Sequence, residues 1–71
     1  MMRKSREIRK EILKVLSDDE QHTYGYLERK VNTNWMTVRE HCDDLKTFDA
    51  VSIRDNQVKL TKKGHKLLKK L

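Results

Sequence analysis

Apolar residues recur every three or four positions in several stretches of the chain, the spacing that places them on one face of an α-helix. The stretches with this spacing are residues 5–17, 24–31, 35–47 and 62–71. Residue types that favour helix N-caps directly precede the last three stretches: Thr23, Asn34 and Thr61. The pattern therefore predicts four helices, each with one apolar face.

Between the third and fourth helices the pattern changes to strict alternation of apolar and polar residues. Val51 and Ile53 alternate with polar side chains, and so do Val58 and Leu60. Placing Asp55-Asn56 as a two-residue turn pairs Ile53 with Val58 and Val51 with Leu60, which puts all four apolar residues on one face. The pattern predicts a β-hairpin over residues 51–60.

The second and third predicted helices are separated by only three residues, Asn32-Thr33-Asn34. Two short helices joined by such a turn form a helix-turn-helix, and asparagine tolerates the left-handed backbone of the turn. The connector 21–23 could add a minimal strand. The order is therefore helix, helix, helix, hairpin, helix, which gives an α+β fold, mostly α, in one domain over residues 1–71. The residues predicted to join the third helix to the hairpin in the core are Val38, Leu45, Phe48 and Ile53.

The stretch from Leu27 to Val51 resembles the winged helix-turn-helix of bacterial and archaeal regulators such as the ArsR and MarR types. The positions that carry this resemblance are Asn32, Thr37-Val38, His41-Cys42, Leu45 and Asp49-Ala50-Val51. The tail from Leu60 to Gly64 is similar to the segment that opens the closing helix in small archaeal domains of this kind. The sequence departs from the pattern at Thr33, Asp49 and Ala50, where an apolar residue, glycine and leucine are usual. The resemblance implies a DNA-binding domain with the hairpin as its wing.

Charge points to the same partner by an independent route. The 71 residues carry a net charge of +6. Residues 1–16 hold six basic and two acidic groups, residues 17–49 hold four and eight, and residues 50–71 hold seven and one. Positive charge collected at both ends favours a polyanionic partner, although a merely lysine-rich surface is the plain alternative.

The candidate DNA contacts form two groups. The first, at the start of the third helix, consists of Asn34, Trp35, Met36, Thr37 and Arg39. The second, on the wing and the closing helix, consists of Arg54, Lys59, Lys62 and Lys63. Side chains from the first turns of a helix can reach base edges in the major groove, whereas the second group would serve phosphates.

Each group has an alternative interpretation. Arg39 is the best candidate for a guanine or a phosphate, but Asp43 lies four residues on and could pair with it instead. Trp35 contacts DNA or a second subunit, or it covers the core. Cations at Lys62 and Lys63 oppose the dipole of the closing helix, and a bound phosphate would reverse that cost.

The acidic residues later in the third helix would repel phosphates, so we expect only its first turns to enter the groove. They are Glu40, Asp43 and Asp44, followed by Asp49.

Other chemistry has little support in the sequence. Cys42 is the only cysteine, and His22, His41 and His65 lack metal-ligand spacing. We find no Gly-rich phosphate loop and no nucleophile–base arrangement, so we expect neither an enzyme nor a cofactor or metal. The basic start, residues 1–10, lacks the apolar centre of a signal peptide, and no apolar run approaches a membrane span. We therefore expect a cytoplasmic protein.

The interpretation that follows is a double-stranded DNA-binding transcriptional regulator, with helix 35–47 in the major groove and the wing on the backbone. The alternative is a winged helix that serves as a protein–protein interaction module, which the acidic third helix would favour. We also expect a homodimer, because the first and last helices offer more apolar residues than one small core can absorb. These residues are Ile8, Ile12, Val15, Leu67, Leu68 and Leu71.

Overall fold

Four helices and a small sheet follow one another in the predicted order. The computed structural model describes residues 5–70. The helices are α1 (Ser5–Val15), α2 (Tyr24–Val31), α3 (Trp35–Thr47) and α4 (Lys62–Lys70), and a 3-10 turn (Leu16–Asp18) follows α1. The strands are β1 (His22–Thr23), β2 (Val51–Arg54) and β3 (Gln57–Leu60). The mostly helical α+β fold is confirmed, while the predicted last residue of the closing helix, Leu71, lies outside the described residues.

The helices begin at the capping residues that the sequence predicts. The Thr23 hydroxyl accepts a hydrogen bond from the Tyr26 N–H at 3.1 Å, and the Asn34 side chain accepts one from the Thr37 N–H at 2.8 Å. Thr61 does the same for the N–H of Gly64 at 3.1 Å. Each cap satisfies a backbone donor that has no partner inside its helix, so the polar side chain defines where the helix starts.

The hairpin has the predicted register, with Val51 opposite Leu60 and Ile53 opposite Val58. Asp55 and Asn56 both adopt the left-handed backbone conformation, with φ of 51° and 62°. A two-residue hairpin turn of type I′ requires a positive φ at both positions. The wing is not an isolated two-stranded ribbon, however. β1 pairs with β3 to give a three-stranded antiparallel sheet in the order β1-β3-β2. The wing is thereby hydrogen-bonded to the segment that leads into α2.

The core is built from the apolar faces of α1, α2 and α3 and the inner face of the sheet. Val38 and Leu45 are fully buried in it, and Ile53 packs against it half-buried, as predicted. The prediction for Phe48 is wrong, because its side chain is 62% exposed. The helix ends one residue earlier, and Asp49 turns the chain with a left-handed φ of 59°. Ala50 therefore takes the inward position instead and is only 1% exposed.

The junction between α3, the wing and α4 is tightly packed. The Ala50 N–H donates to the Leu45 carbonyl at 2.8 Å, and the Ala50 carbonyl accepts from the Thr61 N–H at 3.0 Å. A Cβ placed on Gly64 would lie 2.1 Å from that same Ala50 oxygen and 2.3 Å from Cδ1 of Leu60. Only glycine allows α4 to approach the end of α3 so closely.

Candidate nucleic-acid interface

The start of α3 presents large side chains to solvent. Trp35 is 44% exposed and Met36 is 65% exposed, while the next inward residue, Val38, is buried. Arg39 lies one helical turn after Trp35, and its guanidinium carbon lies 5.2 Å from the centre of the indole ring. This cation–π contact holds a positive charge at the exposed beginning of the helix.

Trp35 also contacts the preceding helix. Its ring meets the ring of Tyr24 edge to face, with centres 6.3 Å apart and an angle of 77° between the planes. Tyr24 is buried, and burial raises the pKa of its phenol above the ordinary value. Trp35 therefore packs against a buried residue, while almost half of its surface remains exposed. The Arg39 guanidinium lies over its ring.

The alternative pairing of Arg39 with Asp43 is not among the ion pairs described for residues 5–70. Both side chains are exposed, and the contact that the structure gives to Arg39 is the one with Trp35.

Three parts of the fold converge on one groove beside these residues. The start of α2 (Thr23, Tyr24 and Gly25) forms one wall, Trp35 and Arg39 form another, and the wing turn (Asp55 and Asn56) forms the third. The first N–H groups of a helix have no partner within it and attract anions. The α2 wall was not foreseen from the sequence, since it depends on the pairing of β1 with β3.

The wing presents a polar outer face. Ser52 lies opposite Lys59, and Arg54 lies opposite Gln57, on the face that points away from the core. Both predicted cations of the wing, Arg54 and Lys59, are exposed. They therefore lie on one surface of the wing, with Arg54 next to the turn.

Lys62 and Lys63 lie at the other end of the wing. Thr61, directly before them, is held by the Asp49 and Ala50 carbonyls at the end of α3. Since α3 rises about 1.5 Å per residue, its end is roughly 18 Å from Trp35. Lys63 places its Nζ atom 3.6 Å from the Asp49 carboxylate. The wing turn next to Arg54 thus lines the same groove as Trp35 and Arg39, whereas Lys63 lies beside the far end of α3.

The acidic residues of α3 begin after its first turn. The first turn contains no acidic side chain, whereas Glu40, Asp43 and Asp44 follow and are all exposed. Asp44 accepts a hydrogen bond from Arg9 of α1 at 3.3 Å, in an exposed ion pair. Negative charge on α3 is therefore exposed only beyond its first turn.

Two potentially reactive side chains of α3 face the core. His41 is only 7% exposed, and burial together with the nearby Arg9 lowers the pKa of its imidazole. Cys42 is fully buried, and burial raises the pKa of its thiol to about 12. A thiol with so high a pKa stays protonated and unreactive, as predicted for a buried cysteine.

The other two histidines each pair with a carboxylate of the loop after α1. The His22 Nε2 atom lies 2.7 Å from Asp18, and the His65 Nε2 atom lies 2.5 Å from Asp19. Asp18, Glu20 and His22 also place ligand atoms within 4.8 Å of one another, a grouping the sequence analysis did not find. Asp18 accepts from the Glu20 N–H and from His22, and these bonds lower the pKa of its carboxyl group. Such pairing accounts for the grouping without an ion.

The fold and this groove define a class of small nucleic-acid-binding domain, in which a capped helix after a three-residue turn is flanked by a β-hairpin. Comparison with protein families agrees: the family model described as winged helix-turn-helix matches residues 2–71. The chain belongs to the winged helix-turn-helix family. That match does not distinguish the ArsR type from the MarR type. A search among curated proteins found no match.

The family is one of DNA-binding, typically non-catalytic domains. Among the helices of residues 5–70, none is long and apolar enough to cross a membrane.

Proposed function

We propose that the protein binds double-stranded DNA and regulates transcription, with the start of α3 in the major groove. The observation that carries this proposal is the convergence of Arg39 and Trp35 with the start of α2 and the wing turn on one groove. An α-helix fits the major groove, and an arginine near its start can bind a guanine through two hydrogen bonds. A cytoplasmic location is part of the same proposal.

The residues around Arg39 and Trp35 offer further contacts to the phosphates and bases of a duplex. Asn34 and Thr37, at the start of α3, and the first N–H groups of α2 are suited to phosphate oxygens. Met36 is exposed beside Trp35 and offers an apolar contact to a base methyl group. Together these groups give both position and sequence readout from a single surface.

The wing is proposed to lie along the DNA backbone. Arg54 and Lys59 share its outer face, and neither has an acidic partner among the described ion pairs of residues 5–70. Lys62 and Lys63 would serve phosphates further along the duplex, at the far end of the wing. Lys63 would have to exchange its Asp49 partner for a phosphate, so we expect Lys62 to contribute more.

A homodimer is part of this proposal, because symmetric readers of DNA gain affinity from two half-sites about one helical turn apart. Ile8 and Ile12, which we expected to be available to a partner subunit, are buried in the protomer's own core. The half-buried apolar residues that remain on the first and last helices are Val15, Leu67 and Leu68. Sedimentation at high micromolar concentration, with and without DNA, tests this; monomer alone in both would refute it.

The experiment for the main proposal separates specificity from general affinity. A preferred duplex is first selected from a random-sequence pool, and the protein is then titrated against that duplex and against random DNA. We expect Arg39→Ala to cost about 1–3 kcal/mol on the preferred duplex and much less on random DNA.

The matched control is Arg6→Ala, which also removes an exposed arginine side chain, but from α1 and outside the groove. Two results would show that Arg39 reads no base. One is an equal loss of affinity in Arg39→Ala and Arg6→Ala, and the other is a loss of affinity in Arg39→Ala that is the same on the preferred duplex and on random DNA.

A further inference from the structure

A second groove lies between the end of α3 and α4, and Lys63 is its only lining residue that is also among the proposed DNA contacts. Its apolar lining consists of Leu45, Phe48, Ala50 and Leu67, and its volume is about 470 Å³. We call it the Phe48 groove. Phe48 is 62% exposed at this site, and it is one of three large apolar side chains exposed among the described residues. A cavity of this size falls within the range of ligand-binding pockets.

The charged lining of the Phe48 groove is entirely basic: Arg9, Lys63, Lys66 and Lys70. Arg9 and Lys63 each have a carboxylate within 4 Å, at 3.3 and 3.6 Å. Lys66 and Lys70 have no acidic partner among the ion pairs described for residues 5–70. They are four positions apart on α4, where like charges repel, so a negative ligand would relieve that repulsion.

The Phe48 groove is remote from the start of α3, where the proposed base contacts lie. Phe48 follows the last turn of α3, whereas Trp35 opens its first turn, roughly 18 Å away along the helix axis. The two grooves share no lining residue. A duplex backbone would satisfy the lysines but offers nothing to cover an exposed aromatic ring and its apolar neighbours.

We propose that the Phe48 groove is a docking site for an acidic amphipathic segment of another protein. Apolar side chains of that segment pack against Phe48 and Leu67, while its carboxylates face Lys66 and Lys70. Exposed aromatic residues beside a pocket are typical of the positions that dominate binding energy in protein interfaces. Complementary charge around such a centre adds specificity and speeds association.

A second copy of this chain is the poorer occupant of the Phe48 groove, so the proposed homodimer would rely on Val15 and Leu68, which lie outside the lining of the groove. Apart from Phe48 itself, the large apolar side chains exposed among the described residues are Trp35 and Met36. They lie in the first turn of α3, which contains no acidic residue, and Trp35 carries Arg39 on its face. These two exposed apolar side chains therefore lack, within their own helical turn, the acidic neighbours that the groove requires.

The test uses a displayed library of random 12-residue peptides selected against the intact protein. We expect the enriched peptides to combine aspartate or glutamate with leucine, isoleucine or an aromatic residue. One enriched peptide is then labelled and titrated, by fluorescence anisotropy, against the wild type and its variants. Phe48→Ser, and separately the double variant Lys66→Glu with Lys70→Glu, should each weaken binding by about tenfold or more.

Lys69→Glu is the matched control, since it reverses an exposed charge on α4 outside the groove and should change affinity by less than about threefold. Thermal melts check that Phe48→Ser is folded, and we expect that it is because the position is exposed. Addition of duplex DNA should not displace the labelled peptide from the protein.

Several results would overturn the proposal. They are enriched peptides without the acidic and apolar combination, undiminished binding to Phe48→Ser, or displacement of the peptide by DNA. Self-association of the wild type that Phe48→Ser abolishes would assign the groove to a second copy of the chain instead.

Discussion

The close approach of α4 to the end of α3 leads to a sharp prediction for Gly64→Ala. The added Cβ would lie 2.1 Å from the Ala50 oxygen, about 1 Å inside the shortest contact that a Cβ tolerates. The Ala50 carbonyl cannot yield freely, because it accepts the Thr61 N–H at 3.0 Å. Helix α4 must therefore shift away from the end of α3, with loss of that hydrogen bond.

The magnitude follows from three contributions. Overpacking a tight contact costs about 1–3 kcal/mol, and the lost hydrogen bond costs about 1 kcal/mol. Alanine returns about 1 kcal/mol through its higher helix propensity. We expect a net loss of about 1–3 kcal/mol in the free energy of unfolding, which lowers Tm by roughly 5–20 °C in a domain of this size.

Gly25→Ala is the matched control, since Gly25 also lies in a helix. A Cβ there would meet only the Thr23 hydroxyl, at 4.0 Å. Helix propensity then acts alone, and we expect this variant to be as stable as the wild type or more stable by up to about 1 kcal/mol. Thermal and urea denaturation followed by circular dichroism measure both variants. A Gly64→Ala protein as stable as Gly25→Ala would refute the packing described for α4.

Three further predictions concern α3 and its end. Leu45→Ala should lower the free energy of unfolding by about 2–5 kcal/mol, because Leu45 is fully buried. Phe48→Ala should change it by less than about 0.5 kcal/mol, because Phe48 is exposed. Equal losses of stability in urea titrations of the two variants would contradict the assigned burial. Asp49 has a left-handed φ of 59°, so Asp49→Gly should be more stable than Asp49→Ala by about 1 kcal/mol in thermal melts, and the reverse order would contradict it. Burial lowers the pKa of His41 in the folded protein below the ordinary value of 6.5. As the pH falls through 6.5, His41 is therefore protonated in the unfolded chain before it is protonated in the folded one, which favours unfolding. Stability should therefore decrease below about pH 6.5, and His41→Gln should reduce that decrease in urea titrations at pH 7.5 and 5.5; the same decrease in both proteins would show that His41 is not the cause.

Much of the fold could be predicted because the signals that determine it are short-range. The caps at Thr23 and Asn34 act within one helical turn, and the register of Val51 opposite Leu60 follows from a two-residue turn and strict alternation. Phe48 was misplaced because its burial depends on where α3 ends. A continued helix would have put it on the same face as Leu45, but the left-handed backbone at Asp49 sends Ala50 inward instead.

The candidate site was only partly predictable for a similar reason. The residues at the start of α3 follow from the helix-turn-helix spacing, but the contact of Arg39 with Trp35 is a choice among rotamers that periodicity does not specify. The wall formed by Gly25 depends on β1 pairing with β3, a contact between residues more than thirty positions apart. The separation of Lys63 from Trp35 also appears only when the chain is folded.

The most direct test of the proposed function is a salt titration of binding to mixed double-stranded DNA fragments. Each phosphate neutralised by a cation adds about 0.9 to the slope of log affinity against log salt concentration, so the proposed phosphate contacts from Arg54, Lys59 and Lys62 predict a slope of about −2.7 or steeper. Binding should be tight at 50 mM salt and should weaken linearly on this scale towards 200 mM. No binding at low salt, or an affinity that does not change with salt, would contradict DNA binding through this surface.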